Sequence, residues 1–486
     1  MDAEALLYER VADRVADWIT RGVLRAGDRV PSVRKLSRQE GVSVATVVQA
    51  FQQLEVRGLI EARPQSGHYV RTPRARANIP EPRAPRTTHA AARPSVAHLV
   101  AKVYGAARDP RLVNLGSAIP SPELLPAERI LKITATVARQ VGRLAVSYDP
   151  PPGCAALRRQ IARRAVDVGS AIPADEIVTT VGAMEALHLA LRAVARAGDT
   201  VAVESPAYYG LLQLIESLGI RAIEIPAHPG SGMDLDALEV ALDTTKIAAV
   251  MAIPSFSNPL GSRMSNDGKR RLVSLLAARA IPLIEDDVYG DLPFPGAAPP
   301  GEDERPRPAK AFDRDGSVIL CSSFSKTIAP GYRVGWIAGG RHHETIEALK
   351  FAQTIATPSL QQLAIAEFIE GGGYDHHLRQ LRRKLAAQVA QMREAIGEHF
   401  PEGTRVSSPT GGFVLWIELP AGSAIDLHAR ALAEGISIAP GPIFSARSRF
   451  ASYFRVSCGA PWSGRVEAAV EKLGAIARSL GRHGRG

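Results

Sequence analysis

Ser323-Phe324-Ser325-Lys326-Thr327-Ile328-Ala329-Pro330-Gly331-Tyr332-Arg333-Val334-Gly335-Trp336 is the stretch on which the fold turns. It follows the apolar run Val318 to Cys321, which reads as a buried strand, and Pro330-Gly331 breaks the chain after it. One amine, two serine hydroxyls and one guanidinium are thereby set at the carboxyl end of a strand. Four further runs end the same way. Ile177 to Thr180 precedes Gly182-Ala183-Met184-Glu185, and Val201 to Glu204 precedes Pro206-Ala207-Tyr208. Ala248 to Ile253 precedes Asn258-Pro259-Leu260-Gly261, and Ile281 to Glu285 precedes Asp286-Asp287-Val288-Tyr289. Short apolar strands alternating with amphipathic helices predict an α/β unit with a mainly parallel sheet and helices on both faces. In such sheets ligands bind beyond the carboxyl ends of the strands, where these polar residues fall.

Working outward, the chain has 486 residues, too many for one compact core, and its composition is that of a soluble globular protein. No early apolar run reads as a signal peptide and no span suits a membrane. Three scattered cysteines, Cys154, Cys321 and Cys458, speak against a disulfide framework or a thiolate metal site. A reducing cytoplasm and no bound metal are the expectation. The net charge of +10 is uneven: residues 1–108 hold eighteen Lys and Arg against ten Asp and Glu. Composition divides the chain into a helical segment over 1–72, a linker over 73–108 and the α/β unit over 109–486. The linker carries Pro73, Pro80, Pro82, Pro85 and Pro94 and is read as stiff and poorly folding, with a helix starting near Ser95. Its surplus of basic residues would add sequence-independent attraction to phosphates.

In the first segment Tyr8, Val11, Val15, Trp18 and Ile19 recur at helical spacing, and Gly22 stops the helix. Ser32 is placed to cap a short helix bearing Val33 and Leu36, broken by Gly41. Ser43 opens a second helix with Val47, Phe51 and Leu54 inward and Thr46, Gln49, Gln52 and Gln53 outward. Short helix, glycine turn and longer helix make a helix-turn-helix, whose outward residues reach base edges. Two strands around Pro64-Gln65-Ser66-Gly67 then form a wing.

A lysine placed like Lys326 suits a Schiff base with pyridoxal 5'-phosphate (PLP), and the other strand ends supply what that cofactor needs. Asp286 would hold the pyridine nitrogen protonated. Asn258 and Tyr289 would donate to the phenolate oxygen, and Tyr208 would stack on the ring. The phosphate would take the amides of Ala183 and Met184 at a helix N-terminus, with Ser323 and Arg333.

These residues carry two resemblances. Pro31 to Leu36, Val42 to Val47, Leu54 to Ile60 and Arg63 to Gly67 resemble the GntR winged-helix family. The resemblance implies DNA contacts at Arg34 and Thr46, with Ser43 at the start of the reading helix, Gln49 on its outward face, and Arg63 and Gly67 in the wing. Residues 110–480 resemble the class I/II aminotransferases of PLP fold type I, through Asp286-x-x-Tyr289, Asn258-Pro-x-Gly, Ser323-x-Ser-Lys326 and Pro330-Gly-x-Arg333-x-Gly. That resemblance implies a smaller α+β carboxy-terminal subdomain. It also implies that Arg455, in Phe454-Arg455-Val456-Ser457, holds a substrate carboxylate together with Asn258, and that Tyr148 reaches the phosphate of a neighbouring subunit.

The order of the two units resembles the MocR (GabR-like) transcription regulators along the whole chain. This implies PLP on Lys326, an amino acid or amine effector entering by aldimine exchange, double-stranded DNA as partner and a head-to-tail homodimer. The alternative is a working aminotransferase with an accessory DNA-binding domain, since half-transamination needs no residue that is missing.

Overall fold

The computed structural model describes residues 7–56, 58–63, 66–71, 79–86, 90–106, 109 and 111–483. Parts of the linker, Arg57 and the wing tip Pro64-Gln65 lie outside the described residues.

The amino-terminal unit has helices α1 (Leu7–Thr20), α2 (Val33–Glu40) and α3 (Val44–Val56), then strands β1 (Ile60–Arg63) and β2 (Gly67–Val70). Local chemistry sets each boundary. The Ser32 hydroxyl accepts from the Lys35 N–H, and Gly41 ends α2 in the left-handed region at φ 65°. Val11, Val15, Leu36, Val47, Phe51, Leu54, Ile60 and Val70 close the core of this unit. A large aliphatic or aromatic side chain buried this fully contributes roughly 1.5–3 kcal/mol.

The α/β unit is built on an eight-stranded sheet. Its order is Ile177–Thr180, Gly335–Ala338, Val318–Ser323, Leu283–Asp286, Ala249–Ala252, Thr200–Ser205, Arg221–His228, Gly232–Met233. Five consecutive strands, from Val318–Ser323 to Arg221–His228, pair in parallel. Gly335–Ala338 runs antiparallel to both its neighbours. The first five strands of the order named above, apart from Trp336, and Thr200–Ser205 are buried along their length, which is why they read as continuous apolar runs without alternation. A smaller sheet joins Arg405–Val406, Val414–Glu418, Tyr453–Ser457 and Ala439–Pro440, backed by helices Ala424–Ala433 and Gly464–His483. The long helix Gly373–His399 packs against the helix Ser359–Glu370 of the large subdomain and Gly464–His483 of the small one.

The winged helix rests on that long helix. Gln380 Nε2 donates to Glu9 Oε1 at 2.9 Å, and Arg71 pairs with Glu394 at 3.4 Å. The linker departs from the expectation of poor folding. Residues 79–86 and 90–96 lie against the α/β unit with Pro82, Pro94 and Val96 buried, and the helix foreseen near Ser95 runs Ala97–Ala106. Prolines fix extended backbone in advance, so ordering such a segment costs less entropy than its composition implies. Among the described residues, no helix is long and apolar enough to cross a membrane.

Candidate cofactor site and nucleic-acid face

Parallel register brings the strand ends together. Asp286 lies beside Cys321 of the neighbouring strand, and Lys326 follows in the turn beyond Ser323. A cavity of about 250 Å³ opens there. Ala183, Met184, Tyr208, Asn258, Asp286, Tyr289, Ser323, Lys326 and Arg333 all line it. Thus nine residues named from the sequence meet in one place.

Lys326 Nζ donates to the Ala118 carbonyl at 2.7 Å and stands 5.9 Å from the centre of the Tyr289 ring. Burial, and next Arg455, pull its pKa down to about 8 against the pull of Asp286. Burial, and next the charge of Asp287, push Asp286 up to about 7, although the Val288 N–H and Lys326 oppose this. Asp286 Oδ1 is buried with no hydrogen-bond partner among the described residues. Asn258 Nδ2 donates to the Tyr289 hydroxyl at 3.3 Å.

The helix Ala183–Val194 points its N-terminus at the cavity behind Gly182, whose φ is 78°. Arg333 Nη2 donates to the Val181 carbonyl at 3.2 Å. A Cβ on Gly182 would lie 2.5 Å from that same nitrogen, so only glycine lets the guanidinium close over the helix start. The turn is braced from behind: Glu185 accepts from the Val181 N–H at 2.6 Å and pairs with buried Lys350 at 2.8 Å.

Two residues stand elsewhere. Arg455 is fully buried and does not line the cavity; Nη1 donates to Asn258 Oδ1 at 2.9 Å and Nη2 to the Gly116 carbonyl. It reaches the cavity through Asn258, and its guanidinium lies 5.7 and 5.3 Å from the rings of Tyr209 and Phe444. Tyr148 is 79% exposed and outside the cavity of its own chain. Ala118, Ile119 and Ser325 line the cavity and were not picked out by sequence reading. Ser325 stood inside the quoted motif. Ala118 gave no signal, because it meets Lys326 across more than two hundred residues.

In the winged helix Arg34, Ser43, Gln49, Arg63 and Gly67 are exposed and Thr46 is half-buried. Ser43 Oγ lies 2.8 Å from Thr46 Oγ1 and accepts the Thr46 N–H at 3.1 Å, capping α3. Arg63 pairs with Glu61 at 2.9 Å and lies 4.5 Å over the Tyr69 ring. Val44 and Val48 are also exposed on α3, a signal the charge pattern did not give. Exposed apolar groups on a reading helix suit thymine methyls. The seat on the long helix uses Glu9 and Arg71 and none of these residues, so the reading face stays open.

PLP fits this cavity. The orphaned Asp286 oxygen asks for a donor, as a pyridine N–H provides. The glycine cradle under Arg333 and a helix start asks for an anion. The Lys326 amine shares the same space.

The fold and the cavity define a PLP-dependent transferase unit of fold type I carrying an amino-terminal winged helix. Comparison with known proteins agrees. Residues 111–473 match the family "Aminotransferase class I and II", and residues 7–70 match "Bacterial regulatory proteins, gntR family". The chain belongs to the class I and II aminotransferase family, whose cofactor is PLP, and is fused to a GntR-family DNA-binding domain. It is 39% identical over 470 residues to the uncharacterized HTH-type transcriptional regulator YdcR of Escherichia coli, covering 96% of this chain and 98% of that protein. It is 31% identical to the 2-aminoadipate transaminase of Thermus thermophilus, over 76% of this chain and 91% of that enzyme. The structure of the α-aminoadipate aminotransferase LysN from Thermus thermophilus superposes with a TM-score of 0.71 at 29% identity, covering 79% of this chain and 99% of LysN.

Proposed function

We propose that this protein is a PLP-dependent transcription regulator whose winged helices read double-stranded DNA under the control of an amino acid or amine. One observation carries the reading: a single chain presents an open DNA-reading face and a cavity lined by nine of the residues that PLP chemistry calls for. Its likeness along its whole length to proteins named as HTH-type regulators supports it.

Bound PLP supplies an aldehyde that condenses with primary amines and a ring that accepts electrons. The chain's own residues prepare for this. With a pKa of about 8, about a tenth of Lys326 is a free amine at pH 7, against about one part in three thousand for an ordinary lysine. Ala118 holds that amine in place. Asp286 would hold a ring proton on its open oxygen, and Arg333 with the Ala183 and Met184 amides would hold the phosphate. An effector carboxylate would displace Asn258 and Gly116 from Arg455, whose fork suits a bidentate ligand. That contact shifts a population between two states to the extent that it is stronger in one of them than in the other.

Tyr148, exposed and outside the cavity lining of its own chain, supports a head-to-tail homodimer in which it reaches the partner's phosphate. Three buried free cysteines support a reducing compartment, the cytoplasm. The deciding experiment is a screen of amines and amino acids against PLP-loaded protein, read by visible absorbance together with DNA affinity. Paired changes support the reading, and spectral changes with constant DNA affinity reject it. The second reading, a turning-over aminotransferase, is favoured by the presence of Lys326, Asp286 and Arg455 together. Sustained multiple turnover with an amino donor and a keto acid, without any specific DNA site, would establish it.

A further inference from the structure

The linker is held to both subdomains. On the small one, the Val406 N–H donates to the Pro80 carbonyl at 2.9 Å, and Arg405 donates to the Glu81 carbonyl at 3.2 Å. Glu418 accepts the Arg83 N–H at 2.9 Å and lies 3.6 Å from the Arg83 guanidinium and 3.9 Å from Arg405. Arg449 donates to the Arg86 carbonyl at 3.0 Å, and Arg447 donates to the Ala90 carbonyl at 2.6 Å. On the large subdomain, Ala92 exchanges two backbone bonds of 2.8 Å with Ala222, extending the edge of the main sheet, and the Val96 N–H reaches Glu216 at 3.2 Å.

We propose that the edge of the small sheet, centred on Glu418, is a docking site for the chain's own Pro/Arg segment 79–86, and that this clasp sets where the winged helix is rooted. Two consequences follow from geometry. From Arg71 to Ile79 is eight residue steps, a stretch that spans roughly 28 Å at most. Released back to Val96, it would span roughly 85 Å. The clasp also sits on the strand next to the effector residue: Glu418 pairs with Tyr453, and Trp416 with Arg455, in one antiparallel ladder. A shift of this sheet when Arg455 takes a carboxylate therefore moves the tether root as one body. This last step and the site-separation readout below rest on the function and homodimer proposed above; the clasp and its hydrogen exchange do not.

The test uses the full-length, PLP-loaded chain. Arg83 is 70% exposed at its side chain, so Arg83→Glu sets two carboxylates together at the clasp without opening a core. Arg93→Glu makes the same charge change at an exposed linker residue outside the clasp. Glu418→Gln weakens the clasp while keeping its shape. Hydrogen exchange is read over 79–86. Affinity is read on DNA carrying two copies of a selected site at stepped separations. Wild type and Arg93→Glu should protect 79–86 and discriminate by about tenfold between best and worst separations, as a short tether demands. Arg83→Glu should lose both, and Glu418→Gln should lose part of both. Coil-like exchange of 79–86 in the wild type overturns the proposal. So does an unchanged separation preference in Arg83→Glu, or an equal loss in Arg93→Glu, which would trace the effect to linker charge on DNA. No effector enters either readout. An intact clasp in a protein whose DNA affinity no amine alters would sink the sensing reading alone.

Discussion

In the winged helix, the residues assigned to DNA lie between Arg34 and Gly67 and are mostly exposed. In the PLP unit, the cavity residues assigned to the cofactor run from Ala183 to Arg333, meet Ala118 and Arg455 from either end of the chain, and are buried or half-buried apart from Arg333. The difference follows from the ligands. Duplex DNA is larger than the domain that reads it, so a convex local surface suffices, and each side chain acts nearly alone. A small cofactor must be surrounded, and charged groups that surround it are desolvated and shift one another's protonation. Substitutions in the first region should therefore have small, separable effects, and those in the second large, coupled ones.

The sharpest way to break this comparison is Lys326→Ala. It should abolish the visible band of the PLP-loaded protein, while DNA affinity of the cofactor-free protein stays within about twofold of wild type if the regions are separable. Next, Asp286→Asn removes a charged acceptor but not its volume. PLP affinity should fall about 10- to 100-fold, the worth of a charge-assisted hydrogen bond, measured by equilibrium dialysis. On the other region, changes at Thr46 should alter preference at one base pair by about 1–3 kcal/mol. Arg34→Ala should instead weaken all sequences alike and lower the salt slope by about one unit, which binding at several salt concentrations distinguishes.

A pH series sharpens the contrast further. Asp286 titrates near 3.8 when unfolded and at about 7 when folded without cofactor. The folded state therefore binds more protons between those values, and the stability this carboxyl contributes is present below pH 4 and lost as the pH rises to 7. Melting of the PLP-free protein should show a shallower decline over that window in Asp286→Asn. The smallest effect is expected at the surface: Ser43→Ala removes the α3 cap and should cost about 1 kcal/mol in denaturant unfolding.

Much of the site was legible because PLP chemistry demands particular groups at strand ends, and strand ends announce themselves by an apolar run followed by a break. Asp286, Asn258, Tyr289 and Lys326 were found in this way. Arg455 was found by its motif, yet its burial behind Asn258 depends on the close approach of Gly116, Tyr209 and Phe444, which no local pattern encodes. The linker misled for a related reason. Proline and arginine spaced without period look unstructured, but Pro82 is buried and Arg83 meets an acid more than three hundred residues away.

The amino-acid sequence by itself determined the two units, their order, the helix-turn-helix and the identity of nine residues that line the cavity, since these depend on short-range periodicity, caps and motif chemistry. Only the tertiary structure decided that the Ala118 carbonyl holds Lys326, that Asp286 keeps an open oxygen, that the reading face is left clear, and that the linker is clasped to the small sheet. Those facts are contacts between distant segments, and they are set by which surfaces must leave water together.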